Sequence, residues 1–376
     1  MNIAAIIFSN LNDHTLSRLT SDRTVAAIPF ACRYRLVDFA LSNMVNANIS
    51  RINVVANYNY RSLLDHIGSG KDWDLARHEG GISCISPYQT AYSGNVKVYA
   101  THMEALRSIA PYIADMKEDY VVLSDCDGVA NIDIATALAH HAESGAEITF
   151  ITQPCTLSYT SKTPRLMFRT DAEGRVQEAM LSDAYSMDCP ELCLNVFIMS
   201  CEHLRRIISE ANARDLKSLT RDVILRRAMA GRYRTFRHEG YYAGISSFSD
   251  YFRHSINLTN HKDAYASLLG RSDRRIFTKV HNSAPVVYSE EAVVKNSLIA
   301  DDCVIEGTVE NSIIFRGVRI GRGSVVRNSI LFGGTVVGSH CSLHCVVTDK
   351  SVIVSDSRIL SGHESLPFYI AKNRRV

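Results

Sequence analysis

No apolar run in the 376 residues approaches the ~20 that a membrane-spanning helix needs, and neither sign of charge dominates, with 41 Lys and Arg against 39 Asp and Glu. The first absence argues against a membrane partner. The second argues against a nucleic-acid partner, which normally requires a basic face or stripe. The opening segment, Met1 to Phe8, lacks a basic lead and a small-residue cleavage site, so it reads as a buried first strand and not as an export signal. The ten cysteines form no framework. Cys189/Cys193 and Cys341/Cys345 are spaced alike, but no histidine completes a zinc site. Scattered thiols in a large chain without an export signal are expected to be reduced and packed, which points to the cytoplasm. Hydrophobic residues at 46% and charged residues at 21% are ordinary for a globular protein, and the length calls for two domains.

Two periodicities divide the chain. Through residue 255, compact apolar runs (Ile3 to Phe8, Ile52 to Ala56, Tyr120 to Leu123, Ile148 to Thr152, Leu194 to Met199) alternate with helical patterns (Tyr34 to Asn46, Arg61 to Ile67, His102 to Met116, Ile134 to Glu143, Ser200 to Asn212). Runs buried on both faces and separated by helices predict an α/β, Rossmann-like domain with a mainly parallel sheet. Ligands in such domains sit at the carboxyl ends of the strands, after Phe8 and after Leu123. From residue 285 to 376 an aliphatic residue instead recurs every five or six positions (Val304, Val309, Ile314, Ile320, Val325, Ile330, Val336), with glycines between. That period fits a hexapeptide-repeat β-helix. Residues 256–284 are the expected linker. His340 and His344 raise the possibility of an acyltransferase coil, but the coil is read as structural.

The segment Leu19-Thr-Ser-Asp-Arg23, then Ile28-Pro29-Phe30 and Arg33-Tyr34-Arg35-Leu-Val-Asp38-Phe-Ala-Leu-Ser42-Asn43, carries the most specific signal. It resembles the ADP-glucose pyrophosphorylase signature LTxxRxKPAVPFGGKYRLIDFxLSN. Ser62 to Ile67 with Trp73, and Gly240-Tyr-Tyr242, are also similar to that family. The resemblance covers essentially the whole chain and implies a nucleotidyltransferase domain followed by a left-handed parallel β-helix. It also implies a reaction that transfers an adenylyl group from ATP to glucose 1-phosphate. Catalysis of that kind depends on glycine amides and basic side chains around the triphosphate and on metal-bound carboxylates.

The family's chemical residues are replaced at one position after another. Its Gly-rich loop LAGGxGxRLxxLT matches a stretch without glycine, in which Asn10 and Asp13 fall in the loop and Thr15 stands for the arginine. Asn10 can still adopt a left-handed turn, yet Asp13 adds a negative charge where phosphate would sit. Val25 replaces the lysine of RxKP, a loss worth roughly 10²–10³-fold in rate. Cys126 replaces the Mg²⁺-binding Asp of LSGDH, and a soft thiol suits a hard cation poorly. Asp125 and Asp127 flank it as weak metal candidates. Gly244 replaces the second metal carboxylate of GYWxDVGT, and Ser182 matches the sugar-phosphate lysine. The family's GTADA run is matched by Gly94 to Val98.

Arg23, Pro29, Phe30, Arg33, Tyr34, Arg35, Asp38, Ser42 and Asn43 therefore read as retained scaffold, with no catalytic residue and no cofactor. Within the family the chain resembles the non-catalytic GlgD-type regulatory subunit. That resemblance implies a heterotetramer in which this chain raises the catalytic subunit's activity or tunes its response to a small-molecule effector. Arg33, Arg35, Arg316 and Arg319 read as solvated or salt-bridged. The alternatives are a weakly active adenylyltransferase using Mg²⁺ at Asp125 or Asp127, a stand-alone sugar-phosphate or nucleotide sensor, and a structural homo-oligomer.

Overall fold

Ile3-Ala-Ala-Ile-Ile-Phe8 is apolar at every position, and in a computed structural model of the chain it is buried between two parallel neighbours. The structure describes residues 1–9, 11, 13–86, 99–155, 160–184 and 191–376. In chain order the first domain's strands are β1 (Ile3–Phe8), β2 (Pro29–Phe30), β3 (Tyr34–Arg35), β4 (Arg51–Val55), β5 (Gly81–Ile85), β6 (Tyr120–Asp125), β7 (Gly128–Ala130), β8 (Ile148–Pro154), β9 (Thr160–Thr170), β10 (Val176–Ala184), β11 (Glu191–Ser200), β12 (Tyr233–Arg237) and β13 (Tyr242–Gly244). The order β5-β4-β1-β6 is parallel throughout, as continuous apolar runs require. Beyond β6 the sheet continues through β11, which runs antiparallel to β6 and to its other neighbours, β8 and β9. Register sets Phe8, Val55 and Asp125 side by side, so the loops leaving β1, β4 and β6 share one edge.

Local chemistry moved several element boundaries. A helix from Tyr34 was expected, but Tyr34 and Arg35 pair with Phe30 and Pro29 as a hairpin, and the helix is Leu36–Asn46. The hairpin turn places Ala31 and Cys32 at φ of 47° and 60°, where the family signature has two glycines. Asp38 Oδ2 then accepts the Arg35 N–H at 3.0 Å, satisfying a donor at the helix start. The pattern from His102 to Met116 forms two helices, His102–Ser108 and Ala110–Ala114, the second with Pro111 in its first turn.

The linker reading also needs correction. Residue 256 lies inside helix Phe248–Asn260, which the Ser247 hydroxyl caps by accepting from Asp250 N, and Lys262–Leu269 is helical too. Beyond Gly270 the chain runs as a strap fixed to the scaffold motif. Ser42 Oγ accepts the Phe277 N–H at 2.8 Å, and Asn46 Nδ2 donates to the Arg275 carbonyl at 3.0 Å.

The second domain stacks short strands into three parallel five-stranded sheets, one per side of a triangular coil, the architecture of a left-handed parallel β-helix. Its corners explain the sequence spacing. Asn296, Asn311, Asn328 and Cys345 all have positive φ, as do Asp302, Gly317, Gly334 and Ser351, and Gly323, His340 and Ser357. Each coil turns by left-handed residues, and glycine, asparagine and aspartate adopt them most readily. His340 is one of these corner residues.

A shared core joins the domains. Leu16, Leu19, Val25, Ile28, Phe30, Leu36 and Phe39 pack with Tyr251 and Phe252 and with Ile313, Phe315, Ile330 and Phe332 of the β-helix. Phe30, Tyr251 and Phe332 run edge to face across the seam, with centroids 6.3 and 6.4 Å apart. Among the described residues no helix is long and apolar enough to cross a membrane.

Candidate functional site

The retained motif serves the seam. Arg23 is buried and pairs with Asp349 of the β-helix at 2.6 Å, while its guanidinium lies over the Phe332 ring. Asp349 also accepts the Tyr369 hydroxyl at 2.8 Å. The Pro29 carbonyl accepts the Tyr251 hydroxyl at 2.7 Å. Arg33 lies 3.6 Å from Asp301, which Arg316 holds at 2.7 Å. Within the first domain, Asp38 is fully buried against His66 at 2.6 Å, and Arg35 reaches Ser62. Burial lowers the His66 pKa despite that carboxylate. Asn43 clamps the approach to the pocket, donating to the Ala130 carbonyl and accepting from Ile132 N.

The edge of the parallel strands is where the chemistry was expected. Asn10 lies outside the described residues, as do Gly94 to Val98 and the Asp13 side chain. Asp13 and Thr15 belong to one 3₁₀ turn, Asp13–Leu16, that leads straight into helix Ser17–Thr20. Val25 is 2% exposed and belongs to the interdomain core, with Leu16 and Leu19. The cavity bounded by Phe8, Ser9, Leu11, Val25 and Asp125 to Asp127 measures about 10 Å³, room for about one water.

Strand β6 delivers Asp125, and the next two residues turn toward β7. Cys126 is buried in the apolar layer with Ala26, Ala27 and Val122. Burial, then the charges of Asp125 and Asp127, push its thiol pKa well up, so it stays protonated. Asp125 Oδ1 meets His102 Nε2 at 2.7 Å. Burial opposes a charged imidazole there, but the carboxylate outweighs it and the His102 pKa is raised. Asp127 Oδ2 accepts from Arg165 Nη1 at 2.7 Å, and both side chains are only 4% exposed. Arg165 Nη2 also donates to the Tyr242 hydroxyl. Register sets Ser182 directly across from Arg165, and Gly244 across from Gly128.

Of the expected pocket positions, the structure sets Ser182 and Gly244 beside Arg165 and buries Cys126 in the apolar layer between Asp125 and Asp127, and it adds His102, Arg165 and Tyr242 to the two aspartates. The fold family implies a divalent cation here, and these residues do not fit one. Mg²⁺ asks for near-octahedral oxygen donors, whereas each aspartate is already held by a basic side chain. Among the described residues no three His, Cys, Asp or Glu side chains gather as a ligand set. Arg165 escaped the sequence reading because it lies in no family motif. Its contacts with Asp127 and Tyr242 span 38 and 77 residues.

A Rossmann-like domain with two buried aspartates at its strand ends, followed by a left-handed β-helix, defines a sugar nucleotidyltransferase architecture. Residues 12–159 match the family described as nucleotidyl transferase, and residues 282–364 the one described as GlmU-like, C-terminal hexapeptide. The chain belongs to the glucose-1-phosphate adenylyltransferase (ADP-glucose pyrophosphorylase) family. It is 31% identical to the glycogen biosynthesis protein GlgD of Bacillus subtilis over 96% of this chain and 92% of that one. Against GlgD of Geobacillus stearothermophilus it is 34% identical over 83% of this chain and 79% of that one. The glucose-1-phosphate adenylyltransferase of Thermosipho africanus is 30% identical over 87% of this chain and 78% of its own length.

Proposed function

We propose that this chain is a catalytically degenerate, regulatory subunit of glucose-1-phosphate adenylyltransferase, which assembles with a catalytic subunit in the cytoplasm and supports ADP-glucose synthesis for glycogen. The observation that carries this reading is the state of the two pocket aspartates. Asp125 is bound to His102 and Asp127 to Arg165, with Cys126 and Gly244 where the family's metal carboxylates belong. The seam supports the same reading from the other side, since Arg23 and Arg33 of the retained motif pair with Asp349 and Asp301 of the β-helix. Regulation requires that this chain bind the partner's active state more tightly than its inactive one. An anionic effector would find counter-charges at the seam. There burial, then Arg35 and Arg23, bring Lys350 down to about 8.

The deciding experiment measures ADP-glucose formation by three samples: this chain, its catalytic partner, and the two co-expressed. Background turnover by this chain, with the mixture exceeding the partner alone, is expected. Turnover by this chain comparable to the partner's would overturn the reading in favour of an active enzyme using Asp125 and Asp127.

A further inference from the structure

We propose that Arg165 is a tethered cation occupying the ground of the divalent metal ion, so that the pocket is closed to metal by an ion pair internal to the chain. This deepens the non-catalytic reading of the same pocket and rests on it.

The geometry comes first. Arg165 sits on β9 and reaches Asp127 with one arm of its guanidinium and the Tyr242 hydroxyl with the other. A guanidinium is charged at all ordinary pH values, and this one is anchored to a strand paired on both sides. A divalent ion entering here would bring two positive charges against a fixed third in a buried site. Desolvation and like-charge repulsion both oppose that.

The same placement accounts for two replacements that the sequence presents as unrelated. A Cβ built on Gly244 stands 3.4 Å from Arg165 Nη2, 3.1 Å from the Tyr242 ring and 3.2 Å from its hydroxyl oxygen. An aspartate at 244, where the family has its second metal ligand, would therefore enter the Arg165–Tyr242 contact. Gly128, its cross-strand partner, is equally constrained, since a Cβ there would approach the Tyr242 ring to 2.8 Å. On the other side, Ser182 lies opposite Arg165. A lysine at 182, as the family's sugar-phosphate site has, would set two cations in direct cross-strand contact, which is destabilising. The Arg165–Tyr242 pair thus takes up the space of a metal carboxylate on one flank, and Arg165 repels a substrate lysine on the other.

Mn²⁺ binding to the full chain tests this, read by loss of the free-ion EPR signal and by thermal unfolding with and without Mn²⁺. Four proteins are compared: the unmodified chain, Arg165→Lys, Asp127→Asn, and the double variant Arg165→Met/Gly244→Asp. The unmodified chain and Arg165→Lys should leave the Mn²⁺ signal unchanged. The double variant, which exchanges the cation for a further carboxylate, should take up Mn²⁺ and gain in Tm on the order of 5 °C at saturating ion. Uptake by the unmodified chain that Asp127→Asn abolishes would overturn the proposal, as would a folded double variant that takes up none. Should the double variant not fold, the unmodified chain decides alone: pocket uptake refutes the proposal and its absence upholds it. A chain inactive in the turnover assay that still binds Mn²⁺ at Asp127 would sink this inference and leave the proposed function standing.

Discussion

The seam between the domains and the pocket at the strand ends meet at Val25, yet they differ in what they ask of a side chain. At the seam, Arg23 must meet Asp349, Phe30 must meet Tyr251, and the Pro29 carbonyl must accept a hydroxyl. Each of these is a demand of shape and of pairing, and the first of them crosses to the β-helix. The pocket of an active family member makes its demands for charges offered to a ligand. Here those charges are neutralised within the fold, Asp125 by His102 and Asp127 by Arg165. Val25 marks the crossing point, because it lines the small cavity and also packs in the interdomain core. A fold can thus keep the seam between its domains while its strand-end edge turns into ordinary interior.

The sharpest way to break this comparison is to return a pocket residue to the family's choice. Val25→Lys places an ammonium in a core position that is 2% exposed. Such a lysine shifts its pKa by ~3–5 units, worth about 4–7 kcal/mol. Its folded pKa falls below the unfolded ~10.4. The unfolded chain then binds the proton more tightly, and stability drops as pH falls from that value toward the folded pKa. Urea unfolding at neutral and at alkaline pH should show the larger deficit at neutral pH, with turnover unrestored. An equal deficit at both would mean that the side chain reaches solvent.

Next in size is the seam. Arg23→Ala leaves the Asp349 carboxylate buried without its cation, a loss of about 3–5 kcal/mol. Asp349→Asn in the same chain should recover part of it, as a double-mutant cycle by urea unfolding would show. Additive losses would mean that the pair contributes little beyond its packing. The smallest effect lies in the hairpin between β2 and β3. A left-handed non-glycine residue costs ~1–2 kcal/mol, offset in part by the ~0.5–1 kcal/mol of freedom that glycine loses on folding. Ala31→Gly and Cys32→Gly should therefore each raise stability by less than ~1 kcal/mol, seen as a small increase in Tm. A decrease would show that the side chains contribute more packing than the turn forfeits.

What was legible in the sequence follows from the range of the interactions. The β-helix was visible because its corners repeat along the chain, and the signature around Arg23 to Asn43 because one motif holds register across the whole segment. The replacement at Val25 could be read against that register, and those at Cys126 and Gly244 against two shorter runs of the family. The residues filling the space could not. His102, Arg165 and Tyr242 come from three separate elements, and only the fold brings them to the aspartates. The supposed linker begins inside one helix and holds a second for local reasons: the Ser247 cap with Asp250 three residues on is the start signal of the first, and the second has no side-chain cap to mark it. The strap after Gly270 has no periodicity of its own, because its order is borrowed from Ser42 and Asn46.

The corner residues Gly317, Gly334 and Ser351 stand seventeen apart, so the two turns they bound are equal lengths of chain. Deleting the whole turn 317–333 would let the remaining turns close up in register, and the coil itself would stay sound. Asp349, however, would be carried along the stack by one strand spacing, about 4.8 Å, and away from Arg23. The number of turns is therefore measured from the first domain, and a shortened coil could be intact in every contact of its own yet fail to dock.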